Sequence, residues 1–413
     1  MKAMHLGLAA GVLSAMAWGC GGSDGTDLLS DAGGTDPPVA DSGGGDDGSV
    51  GTDGNVGNDG SVIDSGLTCV APKANCSGNA SDGCNIDLST DNQNCGGCGV
   101  VCNTQCKAGI CPLFGPDAGV PQQVGDFACL TVDATNVYWG TGLGTANGGG
   151  VWKVGLNGGN PSLLIGAQDR PHGMASDGVN LYYANYGTAQ NVGSIQRIPI
   201  GGSVATPIAV AQAFPLDVAV DANNVYWTDS GDGSVWKSDK NTPAPMKIAN
   251  GGGQGHSQYL RIDATFAYFT DSAGGSVLRV PLDGSNLTPA IVTKAPAARY
   301  IAIDSTTAFF GSTSGNNGAV LSSPLNANNG AAAQILPNLG NVTGVATDGT
   351  NNVWYAIPST GTPNTGSINR ATKAGAGPTQ LAKGQNFPGC IAVDAKSVYW
   401  INLGGGLVSK TAK

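Results

Sequence analysis

Catalysis needs nucleophiles, proton carriers or metal ligands, and this chain supplies them sparingly. It has three histidines and eleven cysteines, and all 29 of its acidic residues are Asp. His172 and His256 are the two histidines outside the N-terminal leader, and no Ser or Cys nucleophile is placed for either to activate. Asp229-Ser230-Gly231-Asp232-Gly233-Ser234 has carboxylates near calcium-loop spacing. Such a loop needs Gly at its sixth position and Glu at its twelfth, where Ser234 and Lys240 stand here, so a polar turn is expected. Cys95-Gly96-Gly97-Cys98 has zinc or redox spacing, but it lies in a run of eight cysteines with no His nearby. No cofactor and no metal are expected.

The commonest chemical group is a carboxylate that recurs in phase. Asp133, Asp177, Asp221, Asp263, Asp304, Asp348 and Asp394 lie 44, 44, 42, 41, 44 and 46 residues apart. An aromatic pair follows each, as in Tyr138-Trp139, Tyr226-Trp227, Phe309-Phe310 and Tyr399-Trp400. Each copy reads as a short apolar strand, an Asp-led turn, an aromatic strand, a Gly-rich turn and further strands. Units of this period with several strands are propeller blades. The ladder is therefore read as structural: each Asp heads a tight turn whose N–H groups its carboxylate accepts. One catalytic site would not need seven copies. The expected fold is all-β, a seven-bladed propeller of four-stranded blades over residues 119–413.

Charge and export signals divide the rest. Ten Asp and no Lys or Arg lie between residues 21 and 66, so the net charge of −10 belongs to that stretch. The remainder balances and offers no basic stripe, which argues against nucleic acid. Lys2 and the apolar run from Leu6 to Ala17 have the length of a signal peptide, residues 1–19. Residues 20–66 read as a disordered Gly/Asp-rich tether. Residues 67–113 carry Cys69, Cys76, Cys84, Cys95, Cys98, Cys102, Cys106 and Cys111. Behind a signal peptide these read as four disulfides in a small loop-rich module, with 105 possible connectivities left open.

Three resemblances add to this. Ala17-Trp18-Gly19-Cys20 resembles a bacterial lipobox, implying acylation of Cys20 and an outer-membrane, cell-surface or periplasmic lipoprotein; cleavage after Ala17 is the alternative. The run Asp82 to Cys106 looks like a Cys-rich module of exported bacterial lipoproteins. Tyr226-Trp227-Thr228-Asp229 matches the YWTD motif of low-density-lipoprotein-receptor-type propellers, and Phe214-Pro215 through Asp221 resembles the lead of NHL-type propellers. The receptor relatives bind proteins, which implies a monomeric binding protein whose partner is an envelope or extracellular protein or glycan. Pro171-His172-Gly173 resembles the His loop of streptogramin-lyase-like propellers, implying His172 as general base; that family also uses a Glu, which this chain lacks. A structural spacer or adhesin without a discrete ligand is the third reading.

Function in a propeller sits where the loops entering the innermost strands meet. There the residues change from repeat to repeat, which is what recognition requires. Arg170, His172, Asp217, His256, Tyr259, Arg299 and Phe387 are the expected ligand contacts. Ring closure is expected from Val120–Val124, which aligns with the segment before the last anchor and would supply the outer strand of the seventh blade. Cys129 and Cys390, each four residues before an anchor Asp, are expected to form a disulfide across that closure.

Overall fold

The structure is a computed structural model, and it describes residues 68–120, 129–142, 148–251, 257–313, 317–359 and 361–413. All of them lie in the unit Asn55–Lys413, and Cys20 falls outside the described residues. No α-helix occurs among the described residues, and none of their helical segments is long and apolar enough to cross a membrane.

Seven antiparallel sheets form the blades. In blade 3 the strands run from Pro215–Val220, innermost, through Asn224–Asp229 and Ser234–Asp239 to Met246–Ala249. The second strand is buried along almost its whole length, Val225 through Asp229, because a neighbouring blade covers each of its faces. Hence its near-continuous apolar run, where a sheet with one wet face would alternate. The outermost strands have a solvent side, as in blade 2, where Val210 is exposed while Ile208 is buried. Blade 4 gains a fifth, parallel strand, Gly330–Ala331, on its outer edge.

Each anchor Asp does one job twice. Asp221 Oδ1 accepts the N–H groups of Asn223 (2.8 Å) and Asn224 (2.6 Å), while its Oδ2 accepts the Tyr226 hydroxyl at 2.7 Å. The same carboxylate–hydroxyl pair joins Asp133 to Tyr138, Asp177 to Tyr182, Asp263 to Tyr268 and Asp394 to Tyr399. The turn is thereby tied to the strand that follows it.

The ring closes through an N-terminal strand, but not the one expected. The outer strand of blade 7 is Cys111–Pro112, paired with Lys410 and Ser409 of Leu407–Ala412. Leu113 N–H continues the ladder to Val408 O at 2.9 Å. That edge is therefore already covered where Val120–Val124 was expected to lie; residues 121–124 are outside the described set. The Cys-rich segment is thus built into the propeller. Phe114 stacks on Trp139 of blade 1 at 5.2 Å, and the Cys95, Cys102, Cys106 and Cys111 side chains share one core cluster with Trp139, Tyr399 and Val408.

Five disulfides are present among the described residues: Cys69–Cys84, Cys76–Cys98, Cys95–Cys106, Cys102–Cys111 and Cys129–Cys390. The fourth holds the closing strand to the segment before it. The fifth spans 261 residues and joins the innermost strands of blades 1 and 7. Such density of cross-links is typical of extracellular or exported proteins.

Candidate functional site

Counting back from each anchor Asp sorts the inner strands into layers. Four residues before the anchor stand Cys129, Gly173, Asp217, Tyr259, Tyr300, Gly344 and Cys390, one per blade. They interlock in a buried plug. Cys129 bonds Cys390, and the Tyr259 and Tyr300 rings pack 4.4 Å apart. Asp217 Oδ2 accepts Leu260 N–H at 2.9 Å and Arg261 Nη1 at 3.1 Å, and its Oδ1 accepts Val218 N–H at 2.9 Å. Blade 2 has Gly at this level because any Cβ there would run into Asp217.

Below the plug, toward the anchor turns, a channel of about 420 Å³ is lined by all seven inner strands. Two residues before the anchor stand Thr131, Ala175, Ala219, Arg261, Ala302, Ala346 and Ala392. Six are small; Arg261 alone is long, and it is the one cation among the described lining residues. Burial pushes the Asp217 carboxyl above its ordinary range, against the pull of that guanidinium. The pair braces blade 3 against blade 4, with the carboxylate buried and the guanidinium partly exposed.

Above the plug lies the loop face. Seven residues before the anchor stand Arg170, Phe214, Ala297, Asn341 and Phe387; His256 and Asp126, at the same sequence offset, are outside the described residues. Arg170, Phe214, Ala297 and Phe387 all hold left-handed backbone, with φ of 59°, 59°, 59° and 52°. Each makes the sharp bend from an outermost strand into the next innermost one. The Arg170 guanidinium lies 4.7 Å from the Tyr186 ring centre, Tyr186 packs on Phe214 at 4.9 Å, and Phe387 is 37% exposed.

The six expected contacts that lie among the described residues therefore do not form one surface. Arg170 and Phe387 are on the rim. His172 and Arg299 lie one layer in: His172 is buried and stacked on Tyr186 at 4.8 Å, and Arg299 is half-buried. Asp217 and Tyr259 belong to the plug, where one is engaged by Arg261 and the other by Tyr300. Burial, with Arg170 nearby, lowers the His172 pKa to about 3, so the ring is neutral at ordinary pH. Tyr186, Phe214 and Arg261 were not among the expected contacts. Their offsets from the anchor Asp are the signal that would have found them.

No protein-family model matches this chain, and no curated protein is similar to it in sequence. Solved structures do resemble it. A streptogramin B lyase is 14% identical, with 71% of this chain and 95% of that one covered and a TM-score of 0.54. A catalytically inactive virginiamycin B lyase from Staphylococcus aureus with quinupristin is 15% identical, with 71% and 97% covered and a TM-score of 0.53. A GH74 enzyme from Niastella koreensis is 16% identical over 70% of this chain, with a TM-score of 0.56; the match spans 53% of that enzyme's length. At such identities the likeness is one of fold, and propellers host both binding proteins and enzymes.

Proposed function

We propose that this is an exported, lipid-anchored binding protein whose loop-face rim engages an envelope or extracellular protein or glycan. The observation that carries the reading is the backbone at Arg170, Phe214 and Phe387. An L-residue in left-handed conformation costs about 1–2 kcal/mol that Gly would not incur. Strain of this kind, held by large side chains at an exposed rim, points to a use for the side chains. Aromatic and Arg groups are also the types that dominate contact energies.

The buried, neutral ring of His172 supports binding over catalysis, since a general base works best with a pKa near the working pH. Five disulfides support export. Acylation at Cys20 completes the proposal: Cys20→Ser should move the protein from the membrane fraction to the soluble one, and unchanged retention would remove the anchor from the account. The binding claim is tested by screening residues 68–413, which include the closing strand, against envelope glycans and secreted proteins. Hits should weaken at least tenfold in Arg170→Ala.

A further inference from the structure

The channel below the plug has walls of uneven character. Its lining passes from buried at Cys129, Met174 and Asp217 to partly exposed at Thr131, Thr347 and Val393. It is therefore shut by the plug and opens at the anchor-turn end. Two residues before the anchor, five blades present Ala, and the exceptions are Thr131 and Arg261. Blades 1 and 4 stand across the ring from one another, so this hydroxyl and this guanidinium belong to opposite walls of the space that the alanines leave. Neither residue is repeated in another blade at this level, in contrast to the anchor Asp.

The fold uses one end of the Arg261 fork. Its Nη1 donates to Asp217 Oδ2 at 3.1 Å and to Leu260 O at 2.5 Å. Among the described residues nothing accepts from Nε or Nη2, and the side chain is 37% exposed. Thr131 Oγ1 likewise has no hydrogen-bond partner among the described residues. Bracing Asp217 needs a single donor nitrogen; the rest of the guanidinium is left for the channel that Arg261 lines.

A planar fork pairs best with a carboxylate, which it can meet through parallel hydrogen bonds. The charge such a ligand may carry is limited. Asp217 already offsets Arg261, and an anchor Asp follows each lining strand, with lysines offsetting those of blades 2, 5 and 6. A second negative charge would have to leave water with no cation to meet it. The rest of the wall is largely apolar, with Leu130, Met174, Val345 and Ile391 in it. Apolar walls with a few placed polar groups are usual for small-molecule sites of about 300–1,000 Å³, and this channel measures about 420 Å³. We infer that the channel binds a small monocarboxylate with an apolar body, its carboxylate on the free side of the Arg261 fork. The site lies at the opposite end of the propeller from the loop-face rim and does not depend on that reading.

The test is calorimetry on the purified full chain with straight-chain monocarboxylates from acetate to octanoate, their primary amides, and inorganic phosphate. At least one carboxylate should bind saturably at millimolar concentration or below, and its amide and phosphate at least tenfold more weakly. Arg261→Lys keeps a cation for Asp217 but lacks the fork. Ala392→Leu narrows the channel from a partly exposed position in blade 7 and leaves the Asp217–Arg261 pair intact. Each should weaken carboxylate binding at least tenfold, and Phe387→Gly should leave it unchanged. If Arg261→Lys fails to fold, Ala392→Leu decides. No saturable carboxylate binding, an amide or phosphate that binds as well as the acid, or binding that survives Ala392→Leu overturns the inference. So does binding lost in Phe387→Gly, which would place the carboxylate on the loop face.

Discussion

Lys373 Nζ lies 2.5 Å from Asp304 Oδ2, in the place that a tyrosine hydroxyl fills in five other blades. The residue five after Asp304 is Phe309, which has no hydroxyl to offer, so the second carboxylate oxygen is met by a lysine from the next blade. Asp348, followed by Val353 and Trp354, is met in the same way by Lys413. The anchor needs both oxygens engaged, and the donor's identity is secondary. Lys373→Met should therefore cost about 2 kcal/mol, the penalty of an unsatisfied buried acceptor. Phe309→Tyr should recover much of that loss, as read by urea unfolding. A double variant no more stable than Lys373→Met would contradict the exchange.

Acid stability follows from the same anchors. Burial opposes ionisation at Asp133, Asp177, Asp221, Asp304 and Asp348, but the hydrogen bonds and lysines around them win, and each carboxyl is held below the usual range. A depressed carboxyl stabilises the fold above its unfolded pKa near 3.9 and loses that contribution as pH falls. Melting temperature should drop below about pH 4. A flat profile from pH 5 to 2 would refute the assignment.

Asp229, of the YWTD motif, acts with the opposite sign. Burial first, with the charge of Asp232 adding, pushes its carboxyl up to about 7 against the pull of the Ala213 N–H. Between the unfolded pKa and this value the native chain holds a proton that the unfolded chain has released, so stability falls as pH rises from about 4 to about 7. Asp229→Asn should remove that component: compared with the parent, its stability should improve steadily from pH 4 to pH 8. An offset from the parent that does not change with pH would contradict the shift.

The blade tryptophans are not equivalent. Trp227 and Trp400 donate to Gln212 and Gln385 at 2.8 Å, whereas Trp354 Nε1 is buried with no partner among the described residues. Replacing Trp227 by Phe strands the Gln212 oxygen; the same change at Trp354 strands nothing. Trp227→Phe should therefore be costlier than Trp354→Phe by about 1 kcal/mol. Equal losses would show that packing alone decides.

Closure can be tested by truncation. Residues 119–413 lack Cys111–Pro112 and leave the edge of Leu407–Ala412 unpaired, an aggregation-prone arrangement. That fragment should melt well below residues 68–413, and the Cys129→Ser/Cys390→Ser pair should also lower stability, by up to about 5 kcal/mol in the chain-entropy account. Equal melting of the two fragments would place closure elsewhere.

Much of this architecture was legible because the Asp-led turn is local: an anchor carboxylate with an aromatic pair five or six residues on marks each repeat, and in five of the seven the residue five on is a Tyr. Closure was not, because a strand as short as Cys111–Pro112 has no periodicity, and its neighbours in sequence were read as a separate module. Cys129 and Cys390 stood out as the two cysteines left after the module and leader, and the disulfide joins them. For Asp217 and Tyr259 the residue types suggested a ligand, but four residues before the anchor is an interior position.

The account stands most directly on Phe387. Its backbone hydrogen bonds, Phe387 N–H to Ser359 Oγ and Leu403 N–H to Phe387 O, do not involve the ring, and its φ of 52° suits Gly better than Phe. The decisive measurement pairs the melting temperature of Phe387→Gly with its affinity for a partner found with residues 68–413. Stability equal to or above the parent together with at least tenfold weaker binding is the expected result. Unchanged binding with a clear loss of stability would show that Phe387 serves the fold, and that the loop-face rim is not where this protein meets its partner.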